Sequence, residues 1–166
     1  MASGDFNKDG YSDLSIGVPY EDVGSTTDGA GAVNLIYGSS RGLSASGLTA
    51  GNGRADQLWT QNSTKIEGDA ETGDLFGNSL AVGDFNNDGI LDLAIGVPGE
   101  DVGITAASAG AVNVIYGSKG LSIGTGGLSA TVPFSGFGRA DQLWTQGSPQ
   151  IQGDAEASDQ FGSALS

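Results

Sequence analysis

Two stretches of this chain repeat one another closely. GDFNKDGYSDLSIGVPYEDVG begins at Gly4, and GDFNNDGILDLAIGVPGEDVG begins at Gly83, an offset of 79 residues. The same offset relates GAVNLIYGS at Gly31 to GAVNVIYGS at Gly110. Further on, GRADQLWTQ recurs at Gly53 and Gly138, and GDAETGDLFGNSL at Gly68 returns as GDAEASDQFGSAL at Gly153, now offset by 85. About six extra residues therefore enter the second copy near positions 130–136. Nearly the whole chain is one unit used twice, so the fold must be one that a repeated unit can build.

Within each unit the apolar runs are short. LDLAIGV at 91–97 alternates with period two, and so does AVNVIY at 111–116, which is rich in Val, Ile and Tyr. Pro98 and Gly117 end these runs. FGNSLAV at 76–82 is a third candidate strand. A weaker fourth is expected at 65–68, with its copy at 150–153. No segment sustains a helical period. About four antiparallel strands per unit, repeated, point to an all-β chain of β-propeller blades. A β-sandwich built from a duplicated half is the alternative.

The order of elements divides the chain unevenly. Residues 1–75 read as a blade lacking its first strand, 76–160 as a complete blade, and 161–166 as the first strand of the next or split blade. Two blades cannot close a ring, because propellers have four to eight. The ring is expected to be completed by further sequence or by oligomerisation. Copies joining head to tail would give even totals, with a trimer of six blades favoured over a tetramer of eight.

Each unit also carries an acidic loop. Asp5, Asn7, Asp9 and Asp13 stand at loop positions 1, 3, 5 and 9, and Asp84, Asn86, Asp88 and Asp92 repeat the pattern. Calcium takes six to eight oxygen ligands, and alternate side chains of a curled loop can converge on one ion. Gly10 and Gly89 permit the sharp turn, and the carbonyls of Tyr11 and Ile90 can each add an oxygen. One Ca2+ per repeat, two per chain, is expected. The loop is not an EF-hand, which needs Glu at position 12, where this chain has Ile16 and Ile95. Asp, Asn and Gly also make turns without any metal. Three crowded carboxylates, however, repel one another unless a cation is present. Magnesium, which keeps several waters, suits the loops less well.

Charge and missing residue types exclude other functions. A net charge of −14 repels a phosphate backbone, so no nucleic-acid partner is expected. Without cysteine or histidine there is no thiolate metal site, no cysteine nucleophile and no imidazole base. The serines and threonines lack a base partner, and sites made once per repeat do not gather the unlike groups of an active site. No enzymatic activity is expected of this chain. No run is long enough to span a membrane. No signal peptide is read at Met1-Ala2-Ser3-Gly4.

The residues resemble the FG-GAP repeat, the blade unit of integrin α-subunit propellers and of many bacterial secreted proteins. Phe76-Gly77 and Phe161-Gly162 match its FG element. Gly17-Val18-Pro19 and Gly96-Val97-Pro98 match its Gly-Ala-Pro element, with Val for Ala. The acidic loops match its calcium loop position by position. The resemblance implies a calcium-stabilised propeller, commonly of seven blades, outside the cell or on its surface. It implies a non-catalytic binding or scaffold module that presents loops to a protein partner.

Two alternatives stand beside that reading. Trp59 and Trp144, in the repeated RADQLWTQ, could stack on sugars in a lectin-like propeller, or could simply pack between blades. The chain could also be a non-catalytic part of a larger secreted hydrolase. Glu21-Asp22 and Glu100-Asp101 look like paired carboxylates, but a solvated turn is the expectation for both. Asp74 and Asp159 are expected at turns or strand entries.

Overall fold

In the computed structural model, residues 1–25, 27–45, 55–119, 126–130 and 141–166 are described. The insertion expected at 130–136 lies almost wholly outside them. Among the described residues there is no helix, and so none long and apolar enough to cross a membrane.

Eight strands form two four-stranded antiparallel sheets, in the orders β1-β2-β3-β4 and β5-β6-β7-β8. Blade 1 holds β1 (Ala2–Gly4), β2 (Asp13–Val18), β3 (Ala32–Ile36) and β4 (Gln57–Trp59). Blade 2 holds β5 (Ser79–Gly83), β6 (Asp92–Val97), β7 (Ala111–Ile115) and β8 (Gln142–Trp144). Each sheet is a meander of sequential neighbours, as blades of a propeller are.

Two expectations are corrected here. The weak fourth strand does not lie at 65–68 or 150–153. It is the QLW segment, which pairs with β3 through Val33 opposite Trp59 and with β7 through Val112 opposite Trp144. Ile66 instead plugs the space between the sheets as a buried side chain. The first blade also does not lack its first strand, because Ala2–Gly4 pairs with β2, Gly4 facing Asp13. Its partner in blade 2 is longer by two residues, and the FG element is not part of either strand. Phe76 instead bridges to Gly31 and Phe161 to Gly110, each clamping the sheet before it.

The alternation of β2 and β6 dictates the packing. In blade 2, Leu93, Ile95, Val97, Ala111 and Ile115 point one way, toward Val33, Leu35, Tyr37 and Trp59 of blade 1, and with Phe76 between the blades form the main core. Ala94, Val112, Val114 and Tyr116 point the other way, where Phe161, Leu165 and Trp144 partly cover them. β5 lies against β1 and β2, so the blades meet at their inner strands and splay toward β4 and β8. Ile66, Leu128 and Ala130 fill the wider side.

The joint depends on close backbone approach. A Cβ on Gly17 would come 1.9 Å from the Gly77 carbonyl oxygen, and one on Gly96 would come 2.0 Å from that of Gly162. Each FG turn thus rests directly on the glycine of the preceding Gly-Val-Pro element, a closeness that only glycine permits. The Gly77 N–H completes the contact by donating to the Gly96 carbonyl at 3.1 Å.

Candidate metal loops and the joint between blades

The acidic loops connect β1 to β2 and β5 to β6, and their hydrogen bonds match one for one. In the first, the Asp5 carboxylate accepts the N–H groups of Asp9 (3.0 Å) and Gly10 (2.8 Å). Asn7 Oδ1 also accepts from Asp9 N–H, at 3.0 Å, and Asp9 Oδ1 accepts from Tyr11 N–H, at 2.9 Å. In the second, Asp84 accepts from Asp88 (3.0 Å) and Gly89 (2.9 Å), Asn86 from Asp88 (2.9 Å), and Asp88 from Ile90 (2.8 Å). Gly10 and Gly89 take φ of 93° and 80°, the left-handed turn that position 6 requires.

Asp13 and Asp92 sit deeper, on the first residues of β2 and β6. Asp13 accepts the Phe6 N–H at 2.9 Å and the Gly38 N–H at 2.8 Å, one on each oxygen. Asp92 does the same with Phe85 (2.8 Å) and Gly117 (2.9 Å). Burial pushes both carboxyls up to about 6, against two backbone donors that lower them. The neighbouring loop aspartates, Asp9 and Asp5 or Asp88 and Asp84, push the same way as burial. Each oxygen keeps a second lone-pair direction, so these hydrogen bonds do not preclude a cation.

The ten residues expected to hold calcium therefore fall into two compact loops of identical wiring. The structure brings together Asp5, Asn7, Asp9 and Asp13 in one, and Asp84, Asn86, Asp88 and Asp92 in the other. Among the described residues, no group of three or more His, Cys, Asp or Glu side chains is gathered as a metal shell by itself. A shell here would need the Asn7 or Asn86 amide oxygen and the carbonyls of Tyr11 or Ile90 as well. All of these are hard oxygen donors, which fits calcium.

The other expected sites resolve differently. Trp59 is buried in the inter-blade core and closed to a stacking sugar, whereas Trp144 is half-buried beside an open cleft lined by Glu67, Asp141 and Pro149. Asp22 and Asp101 are exposed, and each ties its own turn by accepting from Gly29 (2.9 Å) or Ser108 (2.7 Å). Asp74 and Asp159 also hold turns, accepting from Glu71 (2.5 Å) and Glu156 (2.9 Å). Glu100 contradicts the expected solvated turn: it is buried, and Gln61 of the other blade donates to its carboxylate at 2.5 Å. Glu21, its copy in blade 1, is exposed because no blade lies in front of it.

Two more polar contacts cross the joint without any signal in the sequence. The Glu67 N–H donates to Asp141 at 2.5 Å, and Asn113 Nδ2 donates to the Glu67 carbonyl at 2.9 Å. Both pairs join residues of different repeats, so no spacing within one repeat could reveal them.

Glu100 gives a testable pH dependence. Burial raises its carboxyl from the ordinary 4.5 to about 7, helped by Asp74, Glu71 and Asp101 and opposed by the Gln61 hydrogen bond. A carboxyl raised in the folded state binds its proton more tightly there than in the unfolded chain. Its contribution to stability is therefore full below about 4.5 and is lost as pH rises through about 7. Glu100→Gln should remove that slope and stabilise the chain at pH 8 by about 2 kcal/mol. Urea melts of both proteins between pH 5 and 8 would check this, and parallel curves would refute it.

Comparison with known proteins agrees with the geometry. The FG-GAP repeat family model matches residues 1–33 and 76–115, the loop and first strands of each blade. These are FG-GAP repeats. The chain is 39% identical over 120 residues to phosphatidylinositol-glycan-specific phospholipase D of Rattus norvegicus, covering 72% of this chain and 13% of that protein. It is 39% identical over 133 residues to the Homo sapiens protein of the same name, covering 79% of this chain and 14% of the other. Integrin alpha-3 of Mus musculus is 33% identical over 155 residues, 85% of this chain and 12% of the integrin. The chain thus spans roughly an eighth of the length of these relatives. Its FG-GAP repeats are integrin-like and propeller-type in fold.

Proposed function

We propose that this pair of FG-GAP blades is a calcium-binding, non-catalytic scaffold. One Ca2+ sits in each acidic loop and fixes the turn between the first two strands of its blade. The observation that carries the reading is the identical wiring of the two loops, with four oxygen-bearing side chains at positions 1, 3, 5 and 9 of each. A turn needs only one or two such side chains. Evenly duplicated carboxylates are better explained by a duplicated cation.

In this reading Asp5, Asn7, Asp9, Asp13 and the Tyr11 carbonyl hold the first ion, and Asp84, Asn86, Asp88, Asp92 and the Ile90 carbonyl the second. The ion supplies charge neutralisation and rigidity, and the rigid loops present the ring's rim to a protein partner. The absence of histidine and cysteine, with Asp22, Asp101, Asp74 and Asp159 held in turns and Glu100 held at the joint, supports a role other than catalysis. Resemblance to integrin blades favours a place outside the cell or on its surface. Membership of a larger secreted hydrolase is compatible with the phospholipase D relatives, the chain then serving as a non-catalytic part. Burial of Trp59 weighs against a lectin that uses both tryptophan loops alike.

Isothermal titration with CaCl2 tests the proposal. Two equivalents per chain are expected, falling to one in Asp88→Ala, with MgCl2 binding more weakly. Absence of calcium heat, or an unchanged stoichiometry in Asp88→Ala, would overturn it.

A further inference from the structure

The two outward faces of the molecule are each a copy of a face buried inside it. On blade 1, Leu14, Ile16, Val18 and Ile36 remain partly exposed. Their repeat equivalents Leu93, Ile95, Val97 and Ile115 are 0% exposed, because blade 1 covers them. On the far side of blade 2, Phe85 is 52% and Ile151 37% exposed, whereas their equivalents Phe6 and Ile66, inside the joint, are 0% and 8%. The chain therefore carries both halves of the joint that it already makes once internally.

We propose that the outer face of blade 2 docks on the outer face of blade 1 of a second copy of this chain, repeating the internal joint and closing a ring. The inference goes beyond the calcium reading and does not depend on it. Each internal polar contact has an intermolecular counterpart. Gln61 donates to Glu100 within the chain, so Gln146 meets Glu21 of the next copy. Asn113 reaches the Glu67 carbonyl, so Asn34 reaches that of Gln152. The Gly77 N–H meets the Gly96 carbonyl, so Gly162 meets Gly17. Such a head-to-tail contact closes into a ring when the rotation per joint permits, and three copies supply six blades.

One corner of the new joint differs from the internal one. A Cβ on Gly99 would come 1.9 Å from the Gly73 carbonyl oxygen, yet the blade 1 equivalent of Gly99 is Tyr20, which is 78% exposed. The intermolecular joint must open slightly there, and so be weaker than the internal one. Like net charges of −14 on each copy oppose association further, so it should strengthen with salt.

Light scattering on the full chain tests this, with and without calcium. A closed species of about 50 kDa, three times the 16.5 kDa chain, is expected, and a tetramer would equally support the head-to-tail joint. A species of 16.5 kDa up to the solubility limit would overturn it. Gln146→Glu should weaken assembly by placing a carboxylate against Glu21, and adding Glu21→Gln should restore it. Tyr20→Gly should tighten it. Assembly indifferent to all three changes would also overturn the proposal. Calcium stoichiometry and molar mass are read separately, so either proposal can fail alone.

Discussion

Phe76→Ala should destabilise the chain by about 3–5 kcal/mol, and Phe161→Ala by only about 1 kcal/mol, although the two residues are repeat equivalents. Phe76 is fully buried where the blades join, and its N–H donates to the Ala30 carbonyl at 2.9 Å. Truncating it leaves a cavity lined by both sheets, which cannot collapse without moving the FG turn off Gly17. Phe161 makes the same backbone contact, its N–H donating to the Ala109 carbonyl at 2.8 Å, but its ring is only half-buried. Thermal melts at low protein concentration should show a fall of about 10 °C or more for Phe76→Ala. Equal losses for both variants would mean that the inter-blade core is not where the stability lies. Under the head-to-tail joint proposed above, the gap should narrow at high protein concentration as Phe161 becomes covered.

Saturating calcium should stabilise the chain by about 5 kcal/mol, with each of the two loops contributing about 2.7 kcal/mol at a hundredfold excess over Kd. A chelator should return the melting temperature to its metal-free value. The sign of one substitution should then depend on the ion. In chelator, Asp9→Asn removes one of the carboxylates crowding Asp13 and should be neutral or slightly stabilising. In calcium, the same change removes a charged ligand and should forfeit most of one loop's share. Melts of wild type and Asp9→Asn in both buffers decide this. If chelation leaves the melting temperature unchanged, the loops are turns and nothing more.

The strands themselves show how far pattern reading reaches. β2, β3, β6 and β7 were legible because their alternation places apolar residues on a packed face, and a period of two means little else. β4 and β8 were not. QLW is three residues long, too short for any period, and becomes a strand because β3 and β7 offer it an open edge. The strand expected at 65–68 does not form, and its one apolar residue, Ile66, serves as a plug in the core instead. The acidic loops were legible as tight turns, since Asp and Asn at alternate positions around Gly report a local geometry. Glu100 was not, because its burial comes from Gln61 in another repeat.

Sequence alone determined the repeated unit, the all-β blades and the content of each acidic loop. All three depend on neighbours within a few residues, or on self-similarity that needs no coordinates. Only the tertiary structure decided which copy of each residue is buried. Leu14 and Leu93 have the same local sequence and the same strand position, but one faces solvent and the other faces a blade. The physical reason is that burial belongs to the pair of surfaces, not to the residue. A repeat written twice produces one joint, and its two outer faces show where the next would form.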